Sequence, residues 1–352
     1  MSAAGSKNVR YIELADRDHG TIASKIPDAT DEVARTMLDT IRGAAPATEK
    51  IVHLHTKETD STVTIFADDQ PIMVYNKVSP PVPDGIDAVY ARSGFLHPVM
   101  SPAGRTVTAA YPADHAHQHG IFGAWVDTSY GNAQVDFWNL AKKQGRVEHE
   151  RTVRIVNEAG RSGFEADLLH RVLDDVDKPV LREHWKVTAV PRSDAVCFEI
   201  ETHQEALTDK PLVIKKYHYG GMAYRGPVSW LTDKDGDKLT AALKREPSSM
   251  FNSEGQDRIA GNHAHARWVA VTGEIEGHTV TIAVFDDPNN FRAPQASRLH
   301  PTKPYFCFSP CVDGEFTIDR DHPFQSRYRF MVYDKRPEPG DIEREWRQWT
   351  LR

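Results

Sequence analysis

The chain has 352 residues, a formal net charge of −7, 39% hydrophobic residues and 26% charged residues, the composition of a globular protein with a sizeable core. The negative balance argues against a general nucleic-acid binder, which needs basic surface to neutralise phosphates. No run approaches the ~18 apolar residues of a membrane helix. Cys197, Cys307 and Cys311 cannot all pair within one chain and match no zinc spacing, and the first seven residues lack an apolar signal core, so a reduced, cytoplasmic protein is expected.

In chain order, Val33, Met37, Leu38 and Ile41 fall at helical spacing between Thr30 as N-cap and Gly43 as C-terminal stop. Residues 1–48 are therefore expected to form an N-terminal extension carrying one helix. From residue 49 the period changes to two. Short strands are predicted over Ile51–Leu54, Thr62–Phe66, Ile72–Tyr75, Arg151–Val156, Phe164–Leu169, His184–Val190, Val196–Thr202, Trp268–Thr272, Thr279–Phe285 and Tyr328–Tyr333. Turn signals such as Asp68–Pro71 and Pro191–Asp194 separate neighbours. This spacing predicts a mainly β fold, a large antiparallel sandwich over residues 49–352, rather than a βαβ fold. Pro80–Gly85 is the best candidate for an internal linker, with a rigid loop within that domain as the alternative because the strands before it need partners. A second helix is expected over Gly340–Trp349, with Ile342, Trp346 and Trp349 on one docking face.

The chemistry concentrates at Asp114-His115-Ala116-His117-Gln118-His119-Gly120, ahead of the apolar run Ile121–Trp125. On an extended backbone the three alternate histidines share one side. Imidazole is both a common metal ligand and the usual proton carrier near neutral pH. His115, His117 and His119 are thus candidate ligands for a divalent Mn, Fe or Zn ion; otherwise no cofactor is expected. His117 and His119 are also candidate catalytic groups, with His97, whose ring is held beside Pro98, and Asp286, at the end of a predicted strand. Candidate sugar-binding residues are Arg92, Trp138, His218, Tyr224, Arg225, Asn289, Asn290 and Arg292: arginine forks and amides suit hydroxyls, and aromatic faces suit sugar rings. Gly220-Gly221 would permit close approach of the backbone to a ligand.

The ordered motifs RSGFLHPVMSPAGR (92–105), YPADHAHQHGIFGAW (111–125), DFWN (136–139), YHYGGMAYRG (217–226), FDDPNNFRAP (285–294) and PYFCFSP (304–310) resemble the bacterial family known as methane oxygenase PmoA-like, over roughly residues 70–335. Its usual Asp-His-Pro-His-His-Arg-Gly pattern is kept here at Asp114, His115, His117 and Gly120. Ala116, Gln118 and His119 stand where that pattern has proline, histidine and arginine. The resemblance implies a galactose-mutarotase-like supersandwich and carbohydrate chemistry. The expected function is acid–base chemistry by histidine and aspartate on a glycoside or keto-sugar, by a lyase or hydrolase. A sugar epimerase or mutarotase-like enzyme, a non-catalytic carbohydrate-binding protein and a cupin-type metal oxygenase are the alternatives. A small-molecule sugar is the expected partner, with no nucleic acid, no membrane, and homo-oligomerisation left open.

Overall fold

A computed structural model of the chain describes residues 52–173, 177–231 and 246–351. The predicted helix over 30–43 and the boundary at residue 48 lie outside the described residues.

Two eight-stranded antiparallel sheets make the sandwich. The first runs β1 (Leu54–Glu58), β2 (Thr62–Ala67), β3 (Gln70–Asn76), β4 (Phe95–Val99), β5 (Ile121–Ala124), β13 (Gly221–Arg225), β18 (Tyr305–Phe308), β17 (Ser297–Leu299). The second runs β14 (Ser249–Asn252), β15 (Trp268–Ile275), β16 (His278–Asp286), β20 (Phe324–Tyr333), β11 (Val196–Ala206), β10 (Asp177–Val190), β9 (Arg161–Leu173), β8 (Gly145–Glu158). A four-stranded sheet of β19 (Phe316–Ile318), β12 (Leu212–Ile214), β6 (Thr128–Tyr130) and β7 (Ala133–Val135) completes the β structure. The predicted strands fall within these elements, except that the first begins at Leu54 rather than Ile51.

Period-two patterning explains the layers. Along β10, Leu181, Trp185, Val187 and Ala189 are buried, whereas Arg182, His184 and Lys186 face outward. The inward faces meet where Tyr75 of β3 packs against Phe164 of β9, ring centroids 4.8 Å apart, and where Trp125 Nε1 donates to Gln204 Oε1 at 2.8 Å. Two polar side chains on the inner face, Glu183 and His170, pair with each other across 2.7 Å, leaving His170 Nδ1 without a partner among the described residues. The three cysteines are buried and unpaired.

The C-terminal helix α1 (Pro339–Thr350) covers part of the outer face of the second sheet. Ile342 and Trp349 are buried there, as the helical stripe predicted. Trp346 Nε1 donates to Asp286 O at 2.9 Å and Trp349 Nε1 to Glu199 Oε1 at 3.1 Å, so the apolar face docks with its indole N–H groups satisfied. Among the described residues no helix is long and apolar enough to cross a membrane. The loop Pro80–Gly85 joins β3 to β4 inside one sheet, as a loop and not a domain linker.

Candidate active site

Loops at β5, β13, β17 and β18, with the turn after β7, converge on a cavity of about 230 Å³. Its walls include His115, His117, Trp138, Asn139, His218, Tyr219, Arg298, His300 and Tyr305. This is just below the roughly 300–1,000 Å³ of drug-sized ligand sites, a size for one small molecule.

The histidine segment is not a strand. His115 N donates to Pro112 O and Gln118 N to His115 O, each at 2.9 Å, so two consecutive turns carry the chain from Pro112 to Gln118. Alternation through turns does not put side chains on one face. His115 and His117 turn into the cavity, their ring centroids 5.3 Å apart. His119 turns the other way and is fully buried between Phe95, Tyr111 and Phe122. Its two ring nitrogens lie 3.0 and 3.1 Å from the carbonyl oxygens of His117 and Tyr90. The expected ligand set of His115, His117 and His119, and the catalytic role of His119, are corrected accordingly. Among the described residues no group of three or more His, Cys, Asp or Glu side chains is placed to hold a metal ion. His119→Ala is expected to cost about 2–4 kcal/mol, through a lost packed ring and a lost buried hydrogen bond. It should leave any bound metal unchanged; thermal melting and elemental analysis of wild type and variant check both parts.

The segment is anchored from beneath. Arg225, at the end of β13 and 0% exposed, forks onto Asp114 with Nη2–Oδ1 at 2.6 Å and Nη1–Oδ2 at 2.9 Å, and donates to Gln118 Oε1 at 2.8 Å. Lys303 Nζ lies 3.3 Å from Asp114 Oδ2. Burial would raise the Asp114 carboxyl, but the His115 contact, the Arg225 guanidinium and the Lys303 ammonium outweigh it and hold the group well below the usual carboxylate range. Arg225 thus positions the loop and does not reach a substrate. Gly120 closes the segment at φ +56, where a Cβ would lie 2.1 Å from Leu96 O, so only glycine fits.

The cavity's imidazoles differ in what holds them. His115 Nδ1 lies 3.3 Å from Asp114 Oδ2, close enough for the carboxylate charge to act on the ring but outside hydrogen-bond geometry. His300 Nδ1 accepts from the backbone N–H groups of Thr302 and Lys303, both at 3.2 Å, which places its proton on Nε2. His117 has no hydrogen-bond partner at either ring nitrogen among the described residues. Burial lowers His117 to about 4 and His300 to about 3, the latter with help from Arg298 and Lys303, so both rings are neutral at pH 7.

The aromatic wall is equally fixed. Asp136 Oδ1 accepts from the backbone N–H groups of Trp138 and Asn139, and Oδ2 from Asn139 Nδ2, an aspartate-locked turn that presents both side chains. Trp138 meets Tyr219 and Tyr305 edge-on, with centroids 5.1 and 5.9 Å apart. His218 is exposed at the wall.

Of the predicted site residues, His117, Trp138 and His218 line this cavity with His115. The others do not. His97 is held in β4 by Thr108 Oγ1 at 2.9 Å. Asp286 is buried beneath Gln295 N and Asn290 Nδ2, each at 2.7 Å. Arg92 is a core residue that donates to Gly123 O and lies on the Phe122 ring. Tyr224 is buried and donates to Val107 O at 2.6 Å. Arg292 ties together the carbonyls of Pro310, Gly314 and Glu315. Asn289 and Asn290 line a separate, larger cavity of about 400 Å³ on the outer face of the second sheet. Its charged side chains are paired with one another, as in Lys186–Glu201 at 2.8 Å and Arg327–Asp287 at 3.3 Å, and no Phe, Tyr or Trp among the described residues lines it. Gly221, at φ +113, approaches Phe308 O of the neighbouring strand, not a ligand. Arg298, His300, Tyr305, Tyr219 and Asn139 were not singled out. The last three lie inside noted motifs, but nothing local marks Arg298 or His300.

An antiparallel β-sandwich with an imidazole-lined cavity at its loops is the class that fold and site define. The chain belongs to the family of unknown function DUF6807, whose model matches residues 62–347. That description carries no activity and gives the PmoA-like name no support. No curated protein matches the sequence. Among solved structures the chain is similar to a polysaccharide lyase at 10% identity and TM-score 0.35, covering 85% of this chain and 34% of that one. It is similar to an α-galactosidase from Geobacillus stearothermophilus at 10% identity and TM-score 0.37, covering 80% of this chain and 40% of that one. A galactose mutarotase related enzyme from Lactobacillus acidophilus is 8% identical with a TM-score of 0.33, over 81% of this chain and 99% of that one. The chain therefore spans well under half the length of the first two.

Proposed function

We propose that this chain is a carbohydrate-active enzyme that moves protons on a single small sugar bound in the histidine cavity, by elimination or epimerisation beside a carbonyl carbon. The observation that carries this reading is the pairing of two differently held imidazoles: His115, beside the Asp114 carboxylate, and His300, its Nδ1 saturated, with Nε2–H as donor. Their ring centroids are 6.3 Å apart. One ring takes a proton from carbon while the other donates to the oxygen on which charge develops. Trp138, Tyr219 and Tyr305 offer the apolar faces that sugar C–H patches need. Lyase chemistry is favoured over hydrolysis because a two-carboxylate glycosidase needs a pair of acids flanking the bond. Among the described residues no Asp or Glu side chain lines this cavity.

The test is proton NMR in D2O on a panel of reducing sugars, keto-glycosides and sugar acids incubated with the purified full chain. Deuterium incorporation, anomer equilibration or an unsaturated product is expected, and it should vanish in His115→Ala at an unchanged melting temperature. Binding without turnover would make the protein a carbohydrate-binding module. Turnover surviving in folded His115→Ala would remove the acid–base assignment.

A further inference from the structure

We infer that the sugar this cavity takes is an acid, carrying a carboxylate that pairs with Arg298; this rests on the sugar reading above. Arg298 lines the cavity half-buried, and its one hydrogen bond among the described residues is from Nη1 to the neutral Asn262 Oδ1 at 2.9 Å. Its Nε is buried without a partner, and no carboxylate among the described residues pairs with it. Arg105 and Arg192 have acidic partners, Asp334 at 2.9 Å and Glu345 at 2.8 Å, and Arg92 and Arg292 are held by carbonyls and ring faces, whereas Arg298 faces the cavity. A guanidinium withdrawn from water without an anion is costly, and a planar carboxylate matches its fork.

The rest of the wall favours the same ligand. The carboxylates close behind it are engaged, Asp114 by Arg225 and Lys303 and Asp136 by the Trp138 and Asn139 N–H groups and Lys142. Trp138 Nε1 is buried with no acceptor, and His300 presents Nε2–H, so N–H groups face the ligand. Among the cavity's acceptors Gln118 Oε1 is held by Arg225, while one ring nitrogen of the neutral His117 stays open to a hydroxyl of the sugar. One guanidinium among the described cavity walls suits a singly charged planar group better than a phosphate.

Isothermal titration of the full chain with D-glucuronate and D-galacturonate, against D-glucose, D-galactose and glucose 6-phosphate at constant ionic strength, tests this. The uronates are expected to bind at least about tenfold more tightly than their neutral counterparts, and Arg298→Gln should collapse that preference to about unity without lowering the melting temperature. Equal or tighter binding of neutral sugars, lost in His117→Ala, would overturn the acid inference and leave the sugar reading intact. Tighter binding of the phosphate sugar would overturn the carboxylate assignment. No binding by any of the five would overturn both.

Discussion

Arg225→Ala is expected to lower stability by about 3–5 kcal/mol, a fall in Tm on the order of 10 °C, and to remove turnover with it. The side chain is 0% exposed and supplies both prongs that hold Asp114, the bond to Gln118, and an Nε donor to Gly226 O at 3.2 Å. Its removal leaves a buried carboxylate against His115 and Lys303 alone. Losing one partner of a buried pair costs more than the pair contributes, because the survivor stays desolvated. The Pro112–Gln118 turns then lose their floor, and His115 loses the fixed carboxylate beside its Nδ1. The diagnostic is a double-mutant cycle by chemical denaturation. Asp114→Asn in the Arg225→Ala background should recover part of the loss. Additive losses, or an Arg225→Ala protein as stable as wild type, would show that the fork does not hold the loop.

Asp286 makes the protein's stability pH-dependent in the direction opposite to most carboxylates. Burial pushes its carboxyl up to about 7, against hydrogen bonds from Gln295 N–H and the Asn290 amide that favour the charged form. A folded-state value above the unfolded one means that between about pH 4 and 7 the folded protein holds a proton the unfolded chain has released. The contribution is therefore complete below pH 4 and is lost as pH rises through 7, by up to about 4 kcal/mol. His97, His117 and His300, lowered to about 4, 4 and 3, act in the opposite sense: their contribution is present above pH 6.5 and is lost as pH falls. Comparing wild type with Asp286→Asn cancels those histidines. The variant is expected to be the more stable protein at pH 8, by about 2–4 kcal/mol, with the gap closing toward pH 4. Urea denaturation at both pH values checks this; parallel curves would mean that Asp286 ionises normally.

The strands were legible where one face is buried. In β9, β10 and β11 the alternation of apolar and polar residues follows from an inner face against the opposite sheet and an outer face toward water, whereas β15, β16 and the end of β20 are apolar runs buried on both faces, the outer one under α1. The stripe Ile342, Trp346, Trp349 was legible for the same reason at helical period. The short strands β17 and β18 carry few alternations, and their place beside β13 depends on pairing across some eighty residues of chain.

The histidine segment shows the limit most clearly. Its residue types announce proton chemistry, and Asp114, His115 and His117 do stand at the cavity. The extended conformation read from their alternation was wrong because turn hydrogen bonds at Pro112 and His115 override a period that local sequence alone cannot rank. Arg92, Tyr224 and Arg225 carry groups that suit a ligand equally well. Only their neighbours, Phe122, Val107 and Asp114, decide that they serve the core.

The amino-acid sequence by itself determined the β class, the docking face of the C-terminal helix and the presence of an imidazole-rich site, because periodicity and residue chemistry are local properties. Which histidines share that site, and that His300 and Arg298 join them from nearly two hundred residues away, was decided by strand pairing among β5, β13, β18 and β17. Register is a relation between distant segments, stabilised only when both are packed, and no single segment encodes it.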